Sequence, residues 1–172
     1  MLRETRSKGG GPNGLNRRGA QGRLSVNGLL KFIEINACSL RNKKNDLRDL
    51  AQAKDLKLIS VTETWCKDWM SDGSLSLDGY TMYRCDRKEA NGGAKGGGTI
   101  LYVRNDIEQR SCKALNTGDY DSSVWCWIML KGGKKVLVGS IYRSPNSSRE
   151  NNERLLQKMK CTIWRATIDL CC

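Results

Sequence analysis

The chain of 172 residues contains no histidine. That absence removes the usual general base of hydrolytic sites and the commonest transition-metal ligand. No C-x-x-C pair occurs among the eight cysteines at 38, 66, 85, 112, 126, 161, 171 and 172. A zinc ribbon or a thioredoxin-type redox site is therefore not expected. Several cysteines sit inside apolar runs, as Cys126 does in "VWCWIML". They read as buried free thiols of a reducing compartment. The charged N-terminus lacks the apolar stretch of a signal peptide, and no run approaches the ~20 apolar residues of a membrane span. The location these absences imply is intracellular, nuclear or cytoplasmic.

Positive charge is abundant. Thirty basic residues face 18 acidic ones, a net +12, which points to a polyanionic partner, nucleic acid before membrane. Residues 1–31 hold seven basic residues and one acidic, half of the excess. Residues 1–27 are rich in Gly, Arg and Asn without periodicity and read as a disordered basic arm. Such an arm either attracts phosphates non-specifically or is linker sequence with incidental charge. Residues 28–172 form the domain. The whole chain is 38% hydrophobic, so the core is modest or part of the chain is unstructured.

Within that domain, "GLLKFIEIN" (28–36) reads as a strand. Residues 42–54 read as a helix whose Leu47, Leu50, Ala51 and Lys54 share a face, with Asn42 as its cap. "LKLISV" (56–61) reads as a buried strand. A strand, a crossover helix and a second strand make a parallel βαβ unit. Both strands then end on one rim, which brings Asn36 and Glu63 together where open α/β sheets bind ligands. A further strand spans 79–87, and five glycines within 92–98 form a loop at the sheet rim. That loop lacks the Gly-Lys-Ser/Thr of a phosphate-binding P-loop. "TILYV" follows as a strand. Residues 122–145 form a β-hairpin about Gly132-Gly133, its first run apolar on both faces and so central in a sheet. Tyr142 and Arg143 stand at the end of the second run, before Pro145. A helix begins at Ser147 with "SSRE" as a capping box, and Leu155, Leu156, Met159 and Ile163 line one side. No internal repeat is visible.

Four pieces occur in collinear order: "INACSLRNK", "ISVTETW", "GYTMYRCDR…GGG…LYV" and "IYRSPNSS". Over residues 30–160 they resemble the endonuclease domain of LINE-type, non-LTR retrotransposons, in the endonuclease/exonuclease/phosphatase (DNase I-like) superfamily. The resemblance implies an α/β fold, the N-terminal part of a two-sheet sandwich. It implies cleavage of DNA phosphodiesters with Mg²⁺ or Mn²⁺ and no other small-molecule cofactor. Glu63 would be the metal ligand. Asn36 would orient the metal–phosphate assembly and Tyr142 would help polarise the scissile phosphate. Arg41, Arg143 and Asn146 would meet the DNA.

The same family carries Gly-Asp-Phe-Asn and, near its end, Ser-Asp-His. Neither occurs here. Asp169, in "ATIDLCC", has neither the preceding Gly nor the following Asn and does not take the role. The expectation is a truncated endonuclease domain with little or no turnover. Its alternatives are a basic, non-catalytic nucleic-acid-binding module and a functionless retroelement remnant. Truncation also predicts a bare apolar face over residues 124–130 and 136–141, with low solubility or marginal folding.

Overall fold

A computed structural model describes residues 29–86, 96–116 and 122–171, with side chains to residue 163. The basic arm expected over residues 1–27 lies outside the described residues. So do residues 87–95, which hold the end of one expected strand and the start of the glycine loop.

Strand β1 (Phe32–Asn36) pairs in parallel with β2 (Leu58–Thr62), Asn36 opposite Thr62. The crossover between them is helix α1 (Lys44–Ala53). All five residues of β2 are buried, because a layer covers each of its faces. Alternation along the strand sorts them. Ile59 and Val61 pack with Leu47 and Ala51 of α1. Leu58 faces the other way, into a second apolar cluster.

The first sheet has the order β1-β2-β4-β3, with β3 at Tyr80–Cys85 and β4 at Thr99–Arg104, both antiparallel additions. A one-turn helix, α2 (Asp72–Leu75), precedes β3. The second sheet is antiparallel, β5 (Gln109–Ser111), β6 (Ser123–Met129) and β7 (Lys135–Ile141), with β6 central as expected. Gly132 and Gly133 turn the hairpin with φ of 76° and 75°, a region that favours glycine. Helix α3 (Arg149–Cys171) closes the described chain.

The sheets stack through Leu58, Leu101 and Val103 on one side and Val124, Cys126, Ile128 and Val138 on the other. Toward the C-terminal end of β2 this interface becomes polar. The Ser60 and Ser140 hydroxyls lie 2.7 Å apart, and Thr99 also bonds Ser140. Thr99 is paired with Thr62. The end of β7 therefore reaches the edge where β1 and β2 end.

Several expectations are corrected. The first hairpin run is largely covered: Val124, Trp125, Cys126 and Ile128 are buried, while Trp127, Met129 and Leu130 stay half-exposed. In the second run only Val136 is an exposed large hydrophobe. Asn42 does not cap α1; Lys43 holds that position without a side-chain bond, and Lys54 is the C-cap. The α3 cap is Ser148, whose Oγ accepts from the Asn151 N–H at 3.1 Å, and Glu150 pairs with Arg154 instead. On α3, Leu155 and Thr162 are buried while Leu156, Met159 and Ile163 are exposed. Leu155 and Thr162 lie seven residues apart, on one line of the helix, about a residue's rotation from the expected stripe. Among the described residues no helix is long and apolar enough to cross a membrane.

Trp125 lies across the ladder from Gly139, and a Cβ there would stand 2.2 Å from its ring. Gly139→Ala is expected to lower stability by ~1–3 kcal/mol, read as a lower denaturant midpoint at unchanged slope; an unmoved midpoint would show that the ring swings clear.

Among the described residues six cysteines are free thiols, with Cys66 and Cys126 buried and Cys38 and Cys161 exposed. Burial pushes the Cys126 thiol up to about 12 and raises Cys66 also. At pH 8 a thiol reagent should label Cys38 and Cys161 in the native chain, and Cys66 and Cys126 only after denaturation. The unfolded thiol ionises near 9.0, so the folded chain holds the proton longer. Stability is full below that pH and falls as pH rises from 9 toward 12.

Candidate active site

The chain leaves β1 and β2 as a zipped pair of turns. Hydrogen bonds run from the N–H groups of Ala37, Ser39 and Leu40 to the carbonyls of Thr62, Glu63 and Thr64, at 2.9, 2.9 and 3.0 Å. The glycine loop joins them, its Gly98 and Gly97 carbonyls accepting from Thr64 and Trp65. Among the described residues five non-glycine positions have left-handed φ. Four of them are here: Cys38 (43°), Ser39 (86°), Glu63 (52°) and Trp65 (55°). Each such residue costs on the order of 1–3 kcal/mol and persists only where surrounding bonds impose it. Their concentration at one rim marks it as the place where geometry outweighs local comfort.

Glu63 is half-buried. Its Oε2 accepts two hydrogen bonds at 2.7 Å, from the Trp65 indole N–H and from the Gly97 backbone N–H. Gly96, at φ 104°, leaves room for this: a Cβ on it would lie 3.1 Å from the same oxygen. The glycine loop thus holds a carboxylate in place. Asn36 is exposed at the end of β1, and its Oδ1 accepts from the Cys38 N–H at 3.3 Å. That bond engages the amide oxygen and leaves the Nδ2 donors for a ligand. Lys43 donates to the Ala37 carbonyl and brings a cation behind the rim.

The ladder of β7 continues one residue, with the Tyr142 N–H bonded to the Ser122 carbonyl at 2.8 Å. Tyr142 follows Ser140 by two, on the same side of the strand, so it leaves the sheet at this edge. Parallel pairing sets Asn36 opposite Thr62, the residue before Glu63. The inter-sheet hydroxyl cluster sets Ser140, two residues before Tyr142, against Ser60 and Thr99 at the same end of the first sheet. Arg41 is exposed one residue beyond the zipped turns. Arg143 and Asn146 lie on the connection to α3, both exposed, and the Arg143 Nε is engaged with Asn152 at 2.7 Å.

Sequence reasoning missed Trp65 and the Gly97 amide as the groups that fix Glu63. The Glu-Thr-Trp spacing, with the two side chains two residues apart, was the available signal for the first. For a hard divalent cation, the rim offers one carboxylate, that of Glu63; the Asn36 amide oxygen is already engaged by Cys38, and an amide Nδ2 is no ligand for such a cation. Magnesium is commonly bound by one or two carboxylates, with waters and phosphate oxygens completing the shell, and this donor set fits that pattern. Among the described residues no cluster of three or more His, Cys, Asp or Glu side chains forms a closed metal cage.

No protein-family model matches the chain, and no curated protein does. Solved structures match in fold. The endonuclease domain of TRAS1, a telomere-specific non-LTR retrotransposon, is similar with a TM-score of 0.54 at 14% identity, over 76% of this chain and 52% of that one. AP endonuclease LMAP from Leishmania major is similar with a TM-score of 0.52 at 16% identity, over 74% and 43% respectively. The chain therefore spans about half the length of these structures. Its fold is part of a DNase I-like two-sheet α/β sandwich.

The Glu63–Trp65 bond is directly observable. In an amide–indole correlation NMR spectrum, Glu63→Ala should shift one indole N–H signal, the same one that Trp65→Phe removes, and Gly96→Ala should shift it too. A Glu63→Ala spectrum with every indole signal in place would exclude the bond.

Proposed function

We propose that this chain is the metal- and DNA-holding part of an endonuclease domain that hydrolyses DNA phosphodiesters, with little or no turnover of its own. The observation that carries this reading is the Glu63 carboxylate, locked by two N–H donors at a left-handed strand end and set beside Asn36. It sits on a fold shared with two proteins described as endonucleases.

In this reading Glu63 holds Mg²⁺ or Mn²⁺. The bound cation would supply stabilisation of negative charge on a phosphate oxygen. The residues do the rest. Trp65 and Gly97 keep the carboxylate pointed, so little reorganisation is needed when a ligand arrives. Asn36 donates from Nδ2 to a phosphate oxygen. Tyr142 contributes its phenol on the second-sheet side. Arg41, Arg143 and Asn146 hold the flanking DNA backbone, and the net charge of +12 speeds encounter with a polyanion. No histidine is present to activate water. A missing general base costs about 10²–10⁴-fold, hence the low turnover. The buried thiols Cys66 and Cys126 go with a reducing, intracellular setting.

A second reading, a binding module without metal chemistry, is favoured by the net charge of +12, which attracts a polyanion without any metal. Water-proton relaxation with Mn²⁺ separates the two. Glu63→Gln should weaken Mn²⁺ binding by at least about tenfold, and the parent chain should nick supercoiled plasmid slowly or not at all. Manganese binding indifferent to Glu63→Gln would reject the metal site. DNA affinity that still fell steeply with log salt would then leave the binding module standing.

A further inference from the structure

Beside the rim lies a cleft of about 310 Å³ lined by Arg41, Lys44, Trp69, Met70, Ser71, Ser74 and Leu75. Its lining holds two cations and no carboxylate. Trp69 is 73% exposed, the most exposed tryptophan among the described residues whose side chains are seen. An indole left in water at that level satisfies no packing need of the core.

The walls of this cleft are fixed. Arg84 donates to the Lys67 and Met70 carbonyls at 2.8 Å and pairs with Asp72 at 2.8 Å. That guanidinium pins the segment carrying Trp69 and ties up the nearest α2 carboxylate. Asp68 is occupied in turn, accepting the Trp69 backbone N–H at 2.8 Å. On the opposite wall Lys44 reaches across to the Ser74 carbonyl at 3.0 Å. Arg41 makes no ion pair among the described residues. It follows Leu40, whose N–H is bonded to the Thr64 carbonyl, so the Arg41 side of the cleft adjoins the chain that continues from Glu63.

We propose that this cleft binds one unpaired nucleotide, its base stacked on the Trp69 indole and its phosphate held between Arg41 and Lys44. An aromatic face next to paired cations is the chemistry that holds single-stranded nucleic acid, where every base offers a π-face and every link a phosphate. A base within a duplex is already stacked on its neighbours and cannot offer that face. The cleft therefore favours a frayed or single-stranded stretch alongside the rim. The inference rests on the rim being a nucleic-acid site and adds to it the form of nucleic acid preferred.

The test uses the full chain and a fluorescein-labelled 12-nucleotide oligothymidylate, read by anisotropy. Trp69→Ala should weaken binding on the order of tenfold, while Trp69→Phe retains most of the affinity. Arg41→Ala and Lys44→Ala should each reduce the slope of log affinity against log salt by about 0.7, one single-strand phosphate contact apiece. A blunt duplex should lose little with Trp69→Ala. An oligouridylate that loses as much as the DNA supports the cleft as a nucleotide site for either sugar. Unchanged affinity in Trp69→Ala, equal weakness of Trp69→Phe and Trp69→Ala, or an equal loss on blunt duplex would overturn the proposal.

Glu63→Gln, read through Mn²⁺, keeps the two readings apart. Loss in Trp69→Ala with Glu63-independent manganese binding leaves the cleft and removes the metal site. Glu63-dependent manganese binding with no single-strand affinity does the reverse.

Discussion

Parallel pairing of Phe32–Asn36 with Leu58–Thr62 is the constraint from which the rest of the molecule takes its shape. Two adjacent parallel strands cannot be joined by a tight turn, so the chain must travel back outside the sheet. It does so through α1, which covers one face of β2. The second sheet covers the other. With both faces and both edges occupied, β2 has no freedom to slip, since a shift of one residue would send Leu58 and Ser60 to the helix side and Ile59 and Val61 to the sheet side. The position of Glu63 is inherited from that fixed register.

The second constraint is the change of character along the inter-sheet interface. Apolar side chains dominate where Leu58 meets Val138 and Ile128. Hydroxyls take over where Ser60, Thr99 and Ser140 meet. Buried hydroxyls are tolerable because they satisfy each other. They also specify how β7 lies on β2, since sliding the sheets would leave them unpaired at a cost of about 1–3 kcal/mol per group. Tyr142 owes its place near the rim to this polar end of an otherwise apolar layer.

Much of this was legible in the sequence. Contiguous apolar runs announced β2, β4 and β6 because each is covered on both sides. Gly132-Gly133 announced the hairpin because its two left-handed positions require glycine. Asn36 and Glu63 could be put on one edge by topology alone. The remainder depends on tertiary context that periodicity does not encode. Which stripe of α3 is buried turns on what lies opposite, and Leu155 with Thr162 prevailed over Leu156, Met159 and Ile163. Two adjacent serines offered the α3 cap, and one residue of helix phase chose Ser148. The bonds from Trp65 and Gly97 to Glu63 arise only after residues 63, 65 and 96–98 adopt left-handed backbone, a conformation the sequence hints at for the glycines and conceals for Glu63 and Trp65.

The backbone at position 63 has a consequence for how this rim can change. A glutamate there adopts φ of 52° against its own preference, while glycine would sit in that region at ease. The variant that discards the carboxylate thus also relaxes the main chain. Folding robustness and charge placement pull in opposite directions at this residue, as they do at many sites where activity is held by strain. Glu63→Gly would ease the main chain and at the same stroke discard the acceptor that ties Trp65 and Gly97 to this turn.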